Sequence, residues 1–302
     1  MKTMIHYFCR AMVIVLMGFG SASAETKPVR VFILAGQSNM EGNGWIASEA
    51  NRNGGKGSLE FLVKDPASAP RFAHLVDASG AWRTRDDVWI SYLQRKGPLT
   101  IGYGANEKVI GPELGFGFVV GDLFEEPVLL IKLAWGGKSL AKDFRPPSSG
   151  GEVGPYYKEI VGRSKAILAN LDKEFPALAG KGYQLAGFGW HQGWNDRVNQ
   201  AFNDEYEKNM AKLLAHLRKD LAVRRIFVAG EPGGSIPETR ESLLGAIKAE
   251  DRPRAEEALS ATVSSILIFQ SFTRLSMISI QGSTKSVARI TSATVMPGPR
   301  SV

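Results

Sequence analysis

The stretch Val29-Arg30-Val31-Phe32-Ile33-Leu34-Ala35-Gly36-Gln37-Ser38-Asn39-Met40 joins an apolar run to a short polar turn. A continuous apolar run of this length is typical of a strand buried on both faces of a parallel sheet. Gly36 allows the chain to bend sharply where that strand ends. A strand that ends in such a turn can present a serine nucleophile, and open α/β sheets bind ligands at the carboxyl ends of their strands. Ser38 is therefore the first candidate for catalysis.

Strand-like and helix-like segments alternate along the rest of the chain. Such alternation predicts an α/β fold, a three-layer α/β/α sandwich around a central, mainly parallel sheet. The predicted strands after the first are residues 127–135, 183–190 and 226–229, and the predicted helices are residues 157–175, 204–221 and 240–250. Residues 44–110 are rich in Gly, Asn, Asp and Lys, and we expect them to form a long insertion loop that is either functional or merely tolerated.

The two ends of the chain differ from the main domain, which we place at residues 25–257. Residues 1–24 carry an early positive charge, an apolar core and a small-residue Ala-Ser-Ala end, which predicts a cleaved signal peptide and a periplasmic or secreted protein. The apolar part is short for a membrane span, so we expect no stable span after cleavage. Residues 258–302 contain no Asp or Glu and are rich in Ser and Thr. They could include a fifth strand, a disordered tail or an out-of-frame end.

Composition excludes several classes of partner. The chain has 302 residues, 44% of them hydrophobic and 22% charged, with a formal charge of +7. The positive charges are interspersed and form no cluster with aromatic residues, so we expect no nucleic acid partner. The single cysteine, Cys9, lies within the signal-like segment, which leaves no thiol or disulfide in the mature chain. No spacing of His, Asp and Glu resembles a metal site, so we expect no metal and no cofactor.

A serine nucleophile also needs hydrogen-bond donors for the oxyanion that forms on the attacked carbonyl. Two other predicted strand ends could supply them. The second strand runs into Gly136 and Gly137, where a backbone N–H can approach a substrate closely. The third strand is followed by the side-chain amides of Gln192 and Asn195. The serine turn, the glycine pair and the two amides each follow the carboxyl end of a predicted strand, and together they indicate a hydrolase site.

These segments resemble the first three sequence blocks of the SGNH hydrolases, in particular the branch of sialate O-acetylesterase-like carbohydrate esterases. A fourth segment resembles the part of that branch that precedes its second strand. The four are Gly36-Gln37-Ser38-Asn39-Met40, Ala134-Trp135-Gly136-Gly137-Lys138-Ser139-Leu140, His191-Gln192-Gly193-Trp194-Asn195-Asp196 and Gly111-Pro112-Glu113-Leu114-Gly115-Phe116-Gly117. The resemblance covers roughly residues 28 to 235 and implies the SGNH/flavodoxin-like hydrolase fold.

The resemblance implies a role for each matching position. Ser38 matches the nucleophile, and its own N–H would help to bind the oxyanion. Gly137, or its neighbour Gly136, matches the glycine that donates a second N–H. Asn195 matches the side-chain donor, with Gln192 as its rival. Trp194 departs from the glutamate that this branch more often carries. The possible supporting residues are Gln37, Asn39, Gly136, His191 and Asp196.

The general base that the resemblance implies is a late histidine in an Asp-x-x-His motif, and this chain has none. The histidines of the mature chain are His74, His191 and His216. His216 lies in a helical pattern that favours a packing role, and His191 is a possible substitute base that more readily suits a structural role. We therefore expect an exported serine esterase that removes acetyl groups from an acetylated oligo- or polysaccharide. The alternatives are a carbohydrate-binding pseudoenzyme, impaired in catalysis, and a damaged esterase.

Overall fold

The computed structural model describes residues 27–223 and 225–229. Within those ranges the chain forms eight strands and eight α-helices. The strands are β1 (Val29–Gly36), β2 (Gly44–Trp45), β3 (Val88–Tyr92), β4 (Arg95–Pro98), β5 (Val109–Ile110), β6 (Val128–Ala134), β7 (Tyr183–His191) and β8 (Ile226–Ala229). The helices are α1 (Ser38–Glu41), α2 (Leu59–Lys64), α3 (Ala69–Phe72), α4 (Pro112–Leu123), α5 (Pro155–Ala169), α6 (Leu171–Glu174), α7 (Trp194–Arg197) and α8 (Gln200–Leu221).

Six of these strands form one sheet in the order β4-β3-β6-β1-β7-β8, while β2 and β5 make a separate antiparallel pair. All neighbours in the large sheet are parallel except the edge strand β4, which runs antiparallel to β3. The predicted mainly parallel α/β sheet is confirmed, and the four predicted strands are β1, β6, β7 and β8. Strand β1 lies near the middle of the sheet, between β6 and β7.

Alternate residues of β1 face the two sides of the sheet, and helices cover both sides. Val31 and Ile33 belong to one buried cluster, which contains residues of α5, α6 and α8. Phe32 and Leu34 belong to the other, which contains residues of α4. Burial on both faces explains why the strand reads as a continuous apolar run. The three layers follow from this double burial.

The prediction of residues 44–110 as an insertion loop is wrong in part, because this region supplies β3 and β4 to the main sheet. Strand β3 is a short run that reads Val-Trp-Ile-Ser-Tyr, and β4 is a polar edge strand that reads Arg-Lys-Gly-Pro. Strand β4 lacks the apolar signature of a central strand, since an edge strand needs less apolar surface and tolerates charge and proline. Strand β3 lies inside the sheet but is only five residues long, so its apolar run is short. The region also carries α2, α3 and the β2–β5 pair.

The predicted helices differ from the observed ones mainly at their ends. The segment predicted at residues 157–175 divides at Asn170 into α5 and α6. Helix α8 begins earlier than predicted because the Asn199 side chain accepts a hydrogen bond from the Phe202 N–H at 3.3 Å and caps the helix there. No helix of the described ranges is long and apolar enough to cross a membrane. The signal peptide predicted at 1–24, the helix predicted at 240–250 and the atypical segment 258–302 lie outside the described residues.

The carboxyl ends of the three central strands lie side by side. Gly36, the last residue of β1, pairs with Ala134 on β6 and with His191 on β7. Gly36 has a φ of +152°, and a Cβ built on it would lie 2.1 Å from the His191 carbonyl oxygen. Only glycine allows this approach, and it places the turns that follow the three strands next to one another.

We expect Gly36→Ala to lower the free energy of unfolding by about 1–3 kcal/mol, because the added methyl group overlaps a main-chain carbonyl that has no room to move. Urea denaturation followed by circular dichroism measures this change. Gly162→Ala is the matched control, since Gly162 lies in α5 with nothing within 4 Å of an added Cβ. That control should gain up to about 1 kcal/mol from helix propensity. Equal stability of Gly36→Ala and the wild type would contradict the assigned role of Gly36.

Candidate active site

Ser38 is the first residue of the single-turn helix α1, directly beyond the end of β1. The turn is fixed by main-chain hydrogen bonds: the Gln37 N–H donates to the His191 carbonyl at 3.1 Å, and the Met40 and Glu41 N–H groups donate to the Gln37 carbonyl at 2.8 and 2.9 Å. Ser38 is half-buried, and its hydroxyl has no hydrogen-bond partner within residues 27–223 and 225–229. Ser38 therefore lies at the carboxyl end of the central strand β1.

The two glycines after β6 lie against this turn. A Cβ built on Gly136 would lie 2.7 Å from the Glu41 carboxylate and 3.8 Å from the Ser38 Cβ. Gly137 has a φ of +70°, and a Cβ there would lie 3.8 Å from the Asn195 Nδ2. The second block thus stands between the serine turn and Asn195. The structure brings these four predicted site residues together.

Gln37 joins the serine turn to the third block. Its side chain is buried, and its Oε1 accepts hydrogen bonds from the main-chain N–H groups of Gly193 and Asn195, both at 3.3 Å. The Asn195 main chain is thereby fixed, while its half-buried side-chain amide makes no hydrogen bond to any residue that the structure describes. The Asn195 Nδ2 therefore keeps both of its N–H donors unused among the described residues.

The expectation that Gln192 could be a rival oxyanion donor does not fit the structure. Its Nε2 donates to the Lys138 carbonyl at 3.0 Å and to the Asp196 Oδ2 at 2.5 Å. An amide nitrogen has two N–H donors, so none is left for a substrate. Gln192 is also only 1% exposed. It acts as a buried link between the second and third blocks.

Asp196, one of the possible supporting residues, connects two loops of the candidate site. Its carboxylate is fully buried and accepts hydrogen bonds from the Leu140 and Ala141 N–H groups, both at 2.8 Å, in addition to the bond from Gln192. Burial raises the pKa of Asp196, and these three hydrogen bonds oppose the rise. The carboxylate thus holds the segment after Gly137 against α7.

Asn39, another of the possible supporting residues, is half-buried in α1.

None of the three histidines in the described residues hydrogen-bonds to Ser38. His191 is 1% exposed, neither of its ring nitrogens has a partner among the described residues, and burial lowers its pKa to about 4. His216 contacts the Ser148 hydroxyl at 3.1 Å and the Tyr157 ring, which agrees with its predicted packing role. The His74 ring packs edge-on against Phe118 at 5.6 Å. The described residues therefore assign no base to Ser38.

Comparison with known proteins identifies the family. The model of the family described as "Carbohydrate esterase, sialic acid-specific acetylesterase" matches residues 28–264. The chain belongs to this family. Its members are carbohydrate esterases, which places the chain among the carboxylic-ester hydrolases and implies a carbohydrate substrate. The resemblance to sialate O-acetylesterase-like enzymes, drawn from the sequence blocks, is confirmed.

The individual relatives share a quarter or less of their residues with this chain. A probable carbohydrate esterase of Arabidopsis thaliana is 25% identical over 224 residues, which span 72% of this chain and 75% of that protein. An X-ray structure of an Arabidopsis thaliana protein has 18% identity and a TM-score of 0.45, with 82% of this chain and 98% of the other covered. A carbohydrate acetylesterase from Xanthomonas citri has 13% identity and a TM-score of 0.39, with 72% of this chain and 48% of the other covered.

This carbohydrate esterase also contains a buried ion pair beneath the site that sequence reasoning missed. The side chains of Lys132 on β6 and Glu113 on α4 are both 0% exposed and lie 2.6 Å apart. The Lys132 ammonium also donates to the Glu41 carbonyl at 2.6 Å and to the Tyr103 carbonyl at 2.7 Å. Burial raises the pKa of Glu113 and lowers that of Lys132, and their mutual attraction opposes both shifts.

All three ammonium protons of Lys132 are therefore used, and one of them fixes the last residue of α1. A helix of four residues has little stability of its own, so this contact supports the turn that carries Ser38. The signal in the sequence was a single lysine within the apolar run of β6, together with Glu113 in the segment that resembles the esterase branch. Neither residue alone indicates the pair.

We expect the stability of the protein to fall in mild acid because of His191. In the folded protein burial lowers its pKa from 6.5 to about 4. Between these values the unfolded chain binds a proton that the native state does not. The free energy of unfolding should therefore decrease as the pH falls through this window, by up to about 3 kcal/mol. Denaturant titrations across the window measure the slope.

His191→Phe is the informative comparison, because the ring nitrogens have no partner among the described residues to lose. The variant should show a shallower loss of stability between pH 6.5 and 4 than the wild type. The carboxylates that titrate nearby are common to both proteins and cancel in the difference. Identical slopes would show that His191 is not the buried neutral residue described.

Proposed function

We propose that this carbohydrate esterase is an exported serine acetylesterase that works through an acyl-serine intermediate. The observation that carries the proposal is the convergence of Ser38, Gly137 and Asn195 at the carboxyl ends of three neighbouring strands. The Ser38 hydroxyl has no hydrogen-bond partner among the described residues, and no hydrogen bond among them uses the N–H of Ser38 or of Gly137. This arrangement supports acyl transfer with an oxyanion hole.

In the proposed reaction the Ser38 Oγ attacks the carbonyl carbon of a sugar acetate. The carbonyl oxygen becomes an oxyanion, which accepts hydrogen bonds from the Ser38 and Gly137 N–H groups and from the Asn195 Nδ2. The bond to the sugar oxygen then breaks, and the sugar leaves with a proton as acetyl-Ser38 forms. Water attacks the acyl-enzyme, releases acetate and restores the hydroxyl. The step that needs most help is removal of the Ser38 proton.

The lack of a base near Ser38 within the described ranges favours a second candidate function, that of a carbohydrate-binding protein with impaired catalysis. A chain with the same donors but an unactivated serine would bind acetylated carbohydrate and hydrolyse it poorly.

The composition break at about residue 258 suggests a different alternative, a reading frame that is altered near its end. Translation of the coding DNA in its other frames past codon 258 tests this, since an Asp-x-x-His there supports an altered frame.

Export is supported by residues 1–24 alone. A periplasmic or secreted location suits an enzyme whose substrate is an oligo- or polysaccharide. Fractionation of the producing cells, with sequencing of the mature amino terminus, would detect cleavage after Ala24. A protein that stays in the cytoplasm with its first 24 residues intact contradicts this part of the proposal.

We expect Ser38→Ala to abolish hydrolysis of both an aryl acetate and an acetylated sugar, because the nucleophile is removed. Release of the aryl alcohol and of acetate, each compared with wild type and with a blank, measures the two rates. The variant should unfold at the same denaturant concentration as the wild type, since the hydroxyl has no partner within the described ranges. Equal rates for the two proteins would exclude Ser38 as the nucleophile in this chain.

Asn195→Ala and Gln192→Ala should separate an oxyanion donor from a structural link. Asn195→Ala should lower kcat by about 10²- to 10³-fold through the loss of one donor, while stability changes by no more than about 0.5 kcal/mol. Gln192→Ala should lower the free energy of unfolding by about 1.5–3 kcal/mol, because it removes a hydrogen bond to the buried Asp196 carboxylate. A large loss of kcat in Gln192→Ala, with a loss of stability but not of kcat in Asn195→Ala, would identify Gln192 as the donor instead.

A further inference from the structure

Trp194 is a large aromatic side chain that stands exposed beside the site. It is 38% exposed and is the first residue of α7, between Gly193 and Asn195. Val198, one helical turn further on, is 66% exposed. Of the four large hydrophobic side chains that are exposed in the described ranges, two therefore lie within three residues of Asn195, the proposed oxyanion donor. Exposed apolar groups gathered in one place often mark a binding surface.

The position of Trp194 is fixed on both sides. Gln37 holds the main chain of Gly193 and Asn195, and the buried Asp196 follows two residues after Trp194. The guanidinium carbon of Arg197 lies 4.8 Å from the centroid of the indole, a distance at which cation and ring attract each other. The indole is thus presented to solvent on a rigid turn, which limits the entropy lost when a ligand binds.

We propose that Trp194 forms a sugar-binding subsite, on which the pyranose ring of the acetylated substrate stacks. The inference rests on the proposed function, since it takes the acetyl carbonyl to lie between Gly137 and Asn195. A pyranose whose substituents are equatorial presents axial C–H groups on its faces, and the electron-rich face of an indole attracts them. Because Trp194 adjoins the donor residue, the ring attached to the ester oxygen would meet the indole.

Binding in a catalytically inert protein tests the subsite without depending on hydrolysis. The Ser38→Ala protein would be titrated with methyl 6-O-acetyl-β-D-glucopyranoside and followed by NMR chemical shifts. We expect Trp194→Ala in this background to weaken the Kd about tenfold, the effect of losing one stacking contact. Trp194→Phe should recover most of the affinity because it restores an aromatic face.

Tyr183→Ala is the matched control. Tyr183 is also exposed, at 47%, but it begins β7, at the opposite end of the strand from His191. A nine-residue strand separates these ends by about 26 Å, so this substitution should leave the Kd unchanged. Three outcomes would overturn the inference: equal Kd values for Trp194→Ala and its parent, an equal loss in Tyr183→Ala, or no detectable binding at millimolar sugar.

Kinetics in the Ser38-containing protein give an independent measurement. The ratio of kcat/KM for the sugar acetate to that for ethyl acetate, which has no ring, should fall about tenfold in Trp194→Ala, mainly through KM. A drop in kcat for both esters alike would contradict a sugar subsite. If the wild type hydrolyses neither ester while the Ser38→Ala protein still binds sugar through Trp194, the proposed reaction fails and the subsite stands.

Discussion

The site depends on the three central strands ending at the same level. Gly36 stands opposite both Ala134 and His191, and the hydrogen bonds of a parallel sheet hold that register. The missing side chain at Gly36 lets the His191 carbonyl come close enough to accept the Gln37 N–H. A slip of one residue would reverse the faces of β1 and carry Ser38 away from Gly137 and Asn195. The position of Ser38 is therefore set mainly by main-chain pairing and hydrogen bonds.

Two buried charges then hold the turns that leave these strands, and they do so with opposite sign. The Lys132 ammonium donates to main-chain carbonyls, including that of Glu41 at the end of the serine turn. The Asp196 carboxylate accepts from the main-chain N–H groups of Leu140 and Ala141 in the second block. A buried charge is costly unless its hydrogen bonds are complete. Two of the three hydrogen bonds of each charge go to main-chain groups, and the third joins Lys132 to Glu113 and Asp196 to Gln192. Each charge is thus tied to loop geometry rather than to substrate.

The strand ends could be predicted from the sequence because each central strand is a long apolar run followed by glycine or by polar residues. Strands β3 and β4 could not, since a short run and a basic edge strand have no such signature. The sequence could not separate Gln192 from Asn195 as the oxyanion donor, because both carry a side-chain amide and both follow the same strand. Their roles separate only in three dimensions, where Asp196 and the Lys138 carbonyl take both donors of Gln192. Lys132 and Glu113 lie 19 residues apart in sequence, and only the fold makes them a pair.

The proposed nucleophile and the proposed oxyanion donors all lie within residues 38–195, whereas no base is found among the described residues. Oxyanion stabilisation and proton transfer by a base are physically separable contributions to catalysis. In serine hydrolases an oxyanion hole and substrate binding alone retain about 10³- to 10⁴-fold acceleration over water when the triad is removed. An aryl acetate has a good leaving group and needs little proton transfer to it, while a sugar alcohol must leave with a proton. Hydrolysis of aryl acetates therefore reports on the donors around Ser38, and hydrolysis of sugar acetates reports on whether the rest of the chain supplies a base.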